Sequence, residues 1–495
     1  MPARTRLRIY TQYRNRHMAG MTSGCSYMSN NPDFKSEIVR HMHGVNEKIN
    51  ALLGGTQAMR RAGPRFLPKE EAESNEKYKR RLKMSVLYPA YEQTVAQMVG
   101  RTFAKPLIIE KVADSLKEYL ANFDLKNNNI DVFCSKWFYD AMAHGVSYVV
   151  VDYPPADDNY TVADVKRLGL RPYVTHVPFN SVLGWRSETI QNIEVCTQFR
   201  YRSAVLEPDG AFGEKITEQI TVMTPGKVTV YRNGENGWAL HSEKELRIGG
   251  KPLDYVPVVA FTPERIGFFA GKPVLENLAE LNIRHWQARS DQDYLLHFIS
   301  VPLMYYSGDR EVSELTSGVG TMLQLGTDEQ IGYIEHSGRA AEAGWTGLDR
   351  IESDMKVAGA KLLTRTKLAM TDSQAKEEQS KEISLLRHYA NLFESAIDSA
   401  LDMMSKWLSS NEQSHVEISG NLETDDTVEG MNVVITLNTN DIVSRQTVFE
   451  EAKRRGVISN QADWEEEKKR LEAEQDAVNA PQMDFNNDNR PADSK

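Results

Sequence analysis

Cysteine is scarce: Cys25, Cys134 and Cys196 stand alone in 495 residues. Without a CxxC pair there is no cysteine zinc site of the usual spacing and no disulfide framework, so a reducing, cytoplasmic setting is expected. Long apolar runs are missing too. No stretch of about eighteen apolar residues occurs, and "MPARTRLRIYTQYRNRHMAGM" lacks the apolar middle of a signal peptide, so neither membrane insertion nor secretion is expected. Phosphate-cradling GxxxxGK[ST] is absent, so nothing suggests that the chain hydrolyses nucleotide, and neither GxSxG nor HExxH appears. An excess of positive charge is lacking as well. The net charge of -10 argues against a whole-surface clamp on nucleic acid, which needs clustered Lys and Arg, but not against a body past which DNA slides.

What is present is ordinary for a multidomain globular protein, with 40% apolar and 26% charged residues. Positive charge concentrates at the start, in Arg4, Arg6, Arg8, Arg14 and Arg16. That segment reads as a basic arm, a flexible leader, or sequence upstream of a true start at Met21 or Met28. His41 and His43 sit at i and i+2, do not share a helix face, and are expected to be solvated. "DREVSEL" offers Asp309, Glu311 and Glu314 as acids, and a charged helix is expected over "WEEEKKRLEAEQD".

Periodicity places a helix over Glu70 to Phe103 and another over Ile130 to Ala143, the latter closed by Gly145 and followed by the buried strand "VSYVVVDYPP". Residues 172–262 alternate around turns such as Pro225-Gly226 and Asn233-Gly234, which predicts an antiparallel sheet. Helix returns over Lys272 to Phe298, short strands and glycines fill Ser300 to Ser337, and helix resumes over Arg339 to Leu363. A polar connector with Thr364, Thr366, Thr371, Asp372 and Ser373 then leads into a very long amphipathic helix. Its stripe runs through Ile383, Leu386, Tyr389, Phe393, Ile397, Leu401, Met404 and Leu408. That helix spans roughly 50 Å, about twice the radius of gyration of a compact chain of this size, so part of its stripe, Phe393 and Ile397 included, is expected to pair between subunits.

The order helix, small β insert, helix, polar connector, very long helix resembles the portal proteins of tailed bacteriophages. It is carried by "KPVLENLAELNIRHWQARSDQDYLLHF", the insert beginning "SVPLMYYSGDREVSEL", "RAAEAGWTGLDRIESDMKVAGAKLL" and the connector. Two N-terminal stretches, "NEKYKRRLKMSVLYPAYEQTVAQMVGRTFAKP" and "FYDAMAHGVSYVVVDYPP", add likeness to a portal family long catalogued as a domain of unknown function.

The resemblance implies an α+β, elongated, portal-like subunit. Residues 1–40 are then a basic, flexible arm and 41–271 a mixed wing of helices and antiparallel sheet. Two stem helices, 272–299 and 339–363, flank a small α/β clip at 300–338. Residues 364–373 form a tunnel loop, 374–445 the long core helix and a returning wing strand, 446–479 a helical crown and 480–495 a disordered tail. It also implies a non-enzymatic ring of about a dozen copies at one vertex of a virion, assembled in the host cytoplasm, with double-stranded DNA passing through. The implied partners are the terminase large subunit, the major capsid protein and a head-completion or tail adaptor, with no cofactor and no metal. Lys361, Arg365 and Lys367 are expected to touch DNA, and Asp309, Arg310 and Glu311 to meet terminase. The alternatives are a metal-dependent nuclease and another virion ring or tail adaptor. The nuclease needs acids at strand ends, where only Asp152 stands.

Overall fold

The computed structural model describes residues 31–154, 164, 167–234, 237–300, 303–308, 328, 330–334, 339–360, 372–418, 426–440, 442–454, 457–458 and 462–479. The fold is α+β. The N-terminal part holds α1 (Glu37–Leu53), α2 (Gly55–Ala62), α3 (Asn75–Met84), α4 (Ala90–Thr102), β1 (Ile108–Lys111), α5 (Asp114–Lys117) and α6 (Ile130–His144). α1 begins inside the stretch expected as a flexible arm, because Val39 and Met42 are buried and the Ser36 N–H donates to Leu183 O at 2.9 Å. The single helix expected over Glu70 to Phe103 is two helices. Ser85 leaves helical geometry at ψ 136°, and Pro89, which has no N–H to give, restarts the chain as the residue before α4.

α6 ends where its sequence signal placed it, and its start is capped by a residue that the periodicity did not mark. The Asn129 side chain accepts the Val132 N–H at 2.9 Å, and Gly145 ends the helix at φ 91°. Gly145 is fixed by more than its dihedral: a Cβ there would lie 2.2 Å from the carbonyl carbon of Lys272.

The next strands are β2 (Ser147–Asp152) and β3 (Tyr173–Val177), and with β11 (Val258–Phe261) they make an antiparallel sheet in the order β11-β2-β3. β2 carries no polar alternation because it is buried on both faces. Val149 and Val151 point into one core with Val174, Val259 and Phe261, whereas Tyr148 and Val150 point into another with Val177 and Val258. This sheet is therefore the wall between a helical core and a β core. The β core is completed by an antiparallel meander of β4 (Val182–Ile190), β5 (Ile193–Asp209), β6 (Gly213–Thr224), β7 (Lys227–Gly234) and β8 (Gly237–Glu245). Short pairs β9 (Arg247–Ile248) with β10 (Lys251–Pro252) and β12 (Arg265–Gly267) with β13 (Ala270–Gly271) lead to the next helix.

The C-terminal part contains α7 (Glu276–Ile299), β14 (Leu303–Ser307), β15 (Gln330–Ile334), α8 (Arg339–Met355), α9 (Asp372–Trp407) and β16 (His415–Glu417), which pairs with β1. Three helices follow: α10 (Asp426–Thr439), α11 (Arg445–Arg454) and α12 (Trp464–Asn479), the last over the stretch expected as a charged helix.

Candidate functional site

α7 is anchored by its first half. Leu278, Ala279, Ile283 and Trp286 are buried in the helical core, and Lys48 of α1 pairs with Glu276 and Glu280. Asn282 is fully buried and has both ends of its amide engaged: Nδ2 donates to Tyr88 O at 2.9 Å and Oδ1 accepts the Tyr91 N–H at 3.1 Å. Pro89 has no side-chain oxygen with which to cap α4, and Asn282 supplies one from across the interface. Further along, Tyr294 and His297 are exposed as the helix leaves this core.

α8 returns antiparallel alongside it. His285 Nε2 meets Glu352 Oε1 at 3.3 Å, the Arg289 guanidinium lies 5.0 Å from the Trp345 ring centre, and Gln292 Nε2 donates to Ala341 O at 2.8 Å. Gly344 is required by this approach, since a Cβ there would lie 1.8 Å from Gln292 Oε1. β14 and β15 join the two helices as an antiparallel pair in unbroken register from Leu303↔Ile334 to Ser307↔Gln330.

The helix expected to continue to Leu363 stops at Met355. A π-helical turn over Lys356–Ala360 follows, in which Gly359 adopts φ 124°, a conformation open to glycine. A Cβ at Gly359 would also lie 2.9 Å from Leu275 Cδ2 at the start of α7.

α9 is 36 residues long, about 54 Å at the usual rise. From Leu386 to Met404 its stripe is buried within the subunit. Phe393 and Ile397 are 0% and 1% exposed. The Phe393 ring sits 4.7 Å from Phe261, 4.8 Å from Trp137 and 5.2 Å from Phe138. The expectation that these two residues pair between subunits is therefore corrected: the stripe fills the subunit's own core, because α6 and the sheet supply the apolar partners that the helix needs. Leu385 and Leu392, seven apart on another face, stay exposed.

The outer face of α9 holds the edge strand. Glu394 Oε1 accepts the Ile418 N–H at 2.9 Å, Asp398 Oδ1 accepts the Val416 N–H at 2.9 Å, and Asp402 Oδ1 accepts the Ser414 N–H at 2.7 Å. Four residues of helix rise about 6.0 Å and two residues of strand about 6.6 Å, so carboxylates at i, i+4 and i+8 match alternate N–H groups of a strand running the other way. His415 stands 3.2 Å from Asp398 and 3.6 Å from Glu110. Its hydrogen bond to Asp398 raises its pKa, and burial raises those of Asp398 and Glu394. The i, i+4, i+8 acids were visible in the sequence, but nothing there named the strand they serve.

α3 is held by Arg81, 6% exposed. Its guanidinium donates to both carboxylate oxygens of Glu73 at 3.0 and 2.9 Å, to Asp291 at 3.1 Å and to Pro68 O at 2.8 Å. The Arg81 hydrogen bonds hold the Glu73 carboxyl below its ordinary range.

Lys361, Arg365 and Lys367, with the rest of 361–371, lie outside the described residues, as do Asp309, Arg310 and Glu311, whereas Asp372 and Ser373 of the expected loop are the first residues of α9. The structure corrects the reading of His43 as solvated. Its ring packs 4.9 Å from Phe179, its Nδ1 lies 3.1 Å from Lys35 Nζ, and burial followed by the Lys35 charge pushes its pKa down to about 4. His41 is exposed. Asp152 is held in a contact with Lys244 Nζ at 2.9 Å and accepts the Tyr173 hydroxyl at 3.1 Å. Sequence reasoning missed Asp140, a buried carboxylate that meets His144 Nδ1 at 2.9 Å and accepts the Phe179 N–H at 2.9 Å. Among the described residues no group of three His, Cys, Asp or Glu side chains is arranged to hold a metal ion. None of the described helices is long and apolar enough to cross a membrane.

Residues 274–408, from just before α7 to just past the end of α9, match the model of a family described as Domain of unknown function (DUF4055). No curated protein sequence matches the chain. Among solved structures, the chain is similar to one from the virion of a native gene transfer agent particle, at 12% identity and a TM-score of 0.41, over 83% of this chain and 99% of that one. It is also similar to one from the neck of an empty gene transfer agent particle computed with C6 symmetry, at 12% identity and a TM-score of 0.42, over 74% and 90% of the two chains. A third, from the neck of a native particle computed with C12 symmetry, aligns at 11% identity and a TM-score of 0.39, over 75% and 89%.

Proposed function

We propose that this chain is a structural subunit of a phage-like virion, and more specifically the portal protein of a tailed phage. In this role it forms a ring through which DNA enters and leaves the capsid. The observation that carries the reading is the unit α7–β14–β15–α8–α9: two antiparallel helices bearing a strand hairpin at their far end, followed by a helix of 36 residues. In a ring the helical pair forms the stem and the strand hairpin the clip. The clip, with Asp309, Arg310 and Glu311, then docks the terminase large subunit during packaging and a head-completion or tail adaptor afterwards. The connector between α8 and α9 brings Lys361, Arg365 and Lys367 to the channel. A few cations per subunit give weak, sequence-independent phosphate contacts that form and release as the duplex advances. The net charge of -10 suits a conduit, since strong cationic contacts elsewhere would brake the DNA. The body of the subunit faces the major capsid protein. The role is structural, and the energy for DNA movement comes from a separate motor.

The test is electron microscopy with mass measurement of the full-length protein. Closed rings of about a dozen copies with a central channel are expected; a monomer at every concentration would refute the reading.

A further inference from the structure

The β4–β8 meander has two faces, and its register sorts the side chains between them. Phe199, Met223 and Val228 point into the β core. Arg200 and Arg202 alternate with Phe199 and Tyr201 along β5, so they stand on the outer face, where Arg202 is opposite Ile220 of β6 and Ile220 opposite Tyr231 of β7. The same register puts Leu206, opposite Ile216, and Leu240, opposite Tyr231, on that face. Ile190 and Ile193, paired where β4 turns into β5, share it once the bulge between the pairs Arg186↔Gln198 and Ser187↔Cys196 is counted. These five are the exposed large apolar side chains of the meander strands, and all of them face away from the β core.

The chain upstream of α1 crosses this same face. Ser36, bonded to Leu183 O, lies over Gly184, where a Cβ would stand 3.0 Å from Ser36 Cβ. Arg200 Nη1 donates to Pro32 O at 3.0 Å, and the Arg202 guanidinium pairs with Asp33. Arg202 also lies 3.6 Å from Glu218 and 5.9 Å from the Trp238 ring centre, and Ile220 opposite it is fully buried. Four residues further along β5 the cover ends. Leu206 and Ile216 are 63% and 67% exposed, and Phe212, in the turn between their strands, is wholly exposed. Among the described residues this end also has no third strand: β7 meets β6 from Thr224 to Gln219, so the pairs from Ala204↔Glu218 to Asp209↔Gly213 form a two-stranded ribbon, which is marginal in water by itself.

We infer that the segment just upstream of Asn31, led by Tyr27 and Met28, docks on the Leu206–Ile216 end of the outer face of its own chain. Tyr27 lies six residues before Asp33, a span of up to about 20 Å when extended, while Leu206 lies four residues beyond Arg202, about 13 Å along β5. The tether therefore reaches. A segment held at this range has an effective concentration in the mM range, which favours it over a separate partner for the same surface. Its composition suits the place: from Met18 to Asn30 there is no charged side chain, unlike the arginine-rich stretch before it, so docking buries no charge. The inference is independent of the ring reading, since both surfaces belong to one chain.

Two readouts on the full-length protein test it. Under conditions where circular dichroism shows both proteins folded, chymotrypsin should cut after Tyr27 at least tenfold more slowly in wild type than in Leu206→Ser/Ile216→Ser, because docking shields that bond. In the second, Ile216→Cys should form a disulfide with the native Cys25 of the same chain under mild oxidant, mapped by peptide mass spectrometry, and Ile193→Cys, at the other end of the face, should do so at least tenfold more slowly. Equal cutting in wild type and the double variant would overturn the docking, as would equal bridging at the two cysteine positions. A bridge found only between copies would give the site to a neighbour's segment and overturn the same-chain assignment. If Leu206→Ser/Ile216→Ser abolished assembly without exposing Tyr27, the face would serve a second copy instead, and the inference would fall.

Discussion

At the scale of single residues, the clearest engagements are made by polar side chains that finish another element's hydrogen bonds. Asn282 caps a helix that begins after a proline, and Arg81 fills its donors with Glu73, Asp291 and Pro68. The Arg81 and Glu73 side chains are buried together, and removing Arg81 leaves the Glu73 carboxylate without its cation, which costs about 3–5 kcal/mol in a well-buried pair, whereas Arg81 without Glu73 keeps Asp291. The pH dependence follows from the Glu73 carboxyl, which the Arg81 hydrogen bonds lower below its unfolded value. Stability from a lowered carboxyl is fully present above the unfolded-state value, about 4.3, and is lost as pH falls through the lower, folded one. Wild type and Glu73→Gln should therefore differ in melting temperature at neutral pH and converge as the solution is acidified below about pH 4. A difference that stays constant down to the acid limit would show that the pair contributes no pH-dependent stability.

At the scale of elements, the sequence was most legible where one local signal decided the outcome. Gly145 closes α6, the unbroken apolar run of β2 announced its burial, and Pro225-Gly226 separates β6 from β7, whereas Asn233-Gly234 lies within β7. It was least legible where a distant partner decided. Pro89 splits a helix that periodicity alone would join, α8 gives way after Met355 to a π-helical turn whose Gly359 lies close against Leu275, and His43 is drawn out of solvent by Phe179. The helix pair and the strands between them could be read from their order. The carboxylate ladder on α9 could not, because its acids look like any solvated helix face until β16 lies against them. Asp398→Ala strips the acceptor from the Val416 N–H, and an orphaned, partly buried amide costs about 1–3 kcal/mol. Hydrogen exchange at Val416 and Ile418 should speed up about tenfold or more, while Asp398→Asn, which keeps an acceptor oxygen, should retain most of the protection. The raised values of Glu394 and Asp398 mean that their charging costs stability as pH rises from about 4, and the raised His415 value means that its contribution is lost as pH rises through that value. Protection at this edge, corrected for intrinsic exchange, should thus decline with pH on both counts; unaltered exchange in Asp398→Ala would show that the strand holds without the ladder.

At the scale of the whole molecule, the long helix distinguishes folding from assembly. The same apolar spacing that predicted α9 also suggested that its stripe was too large for one subunit to bury. The subunit buries it because the β11-β2-β3 wall and α6 present Phe261, Trp137 and Phe138 to Phe393, leaving Leu385 and Leu392 as the exposed apolar groups seven residues apart. Phe393→Ala opens a cavity at the centre of that aromatic cluster, which costs about 3–5 kcal/mol when neighbours relax only partly. It should lower the melting temperature of the subunit by several degrees and expose apolar surface to a dye such as ANS, whatever the state of assembly. Leu385→Ser/Leu392→Ser removes only exposed surface, so it should leave the melting temperature unchanged, and any loss of assembly in that variant would assign the outer face of α9 to a neighbouring copy. The decisive comparison is between these two variants at one protein concentration, by thermal melting and light scattering together. If Phe393→Ala melted like wild type yet failed to assemble, the ring would have to lie at an interface between copies, and the placement of α9 at the heart of the subunit would be wrong.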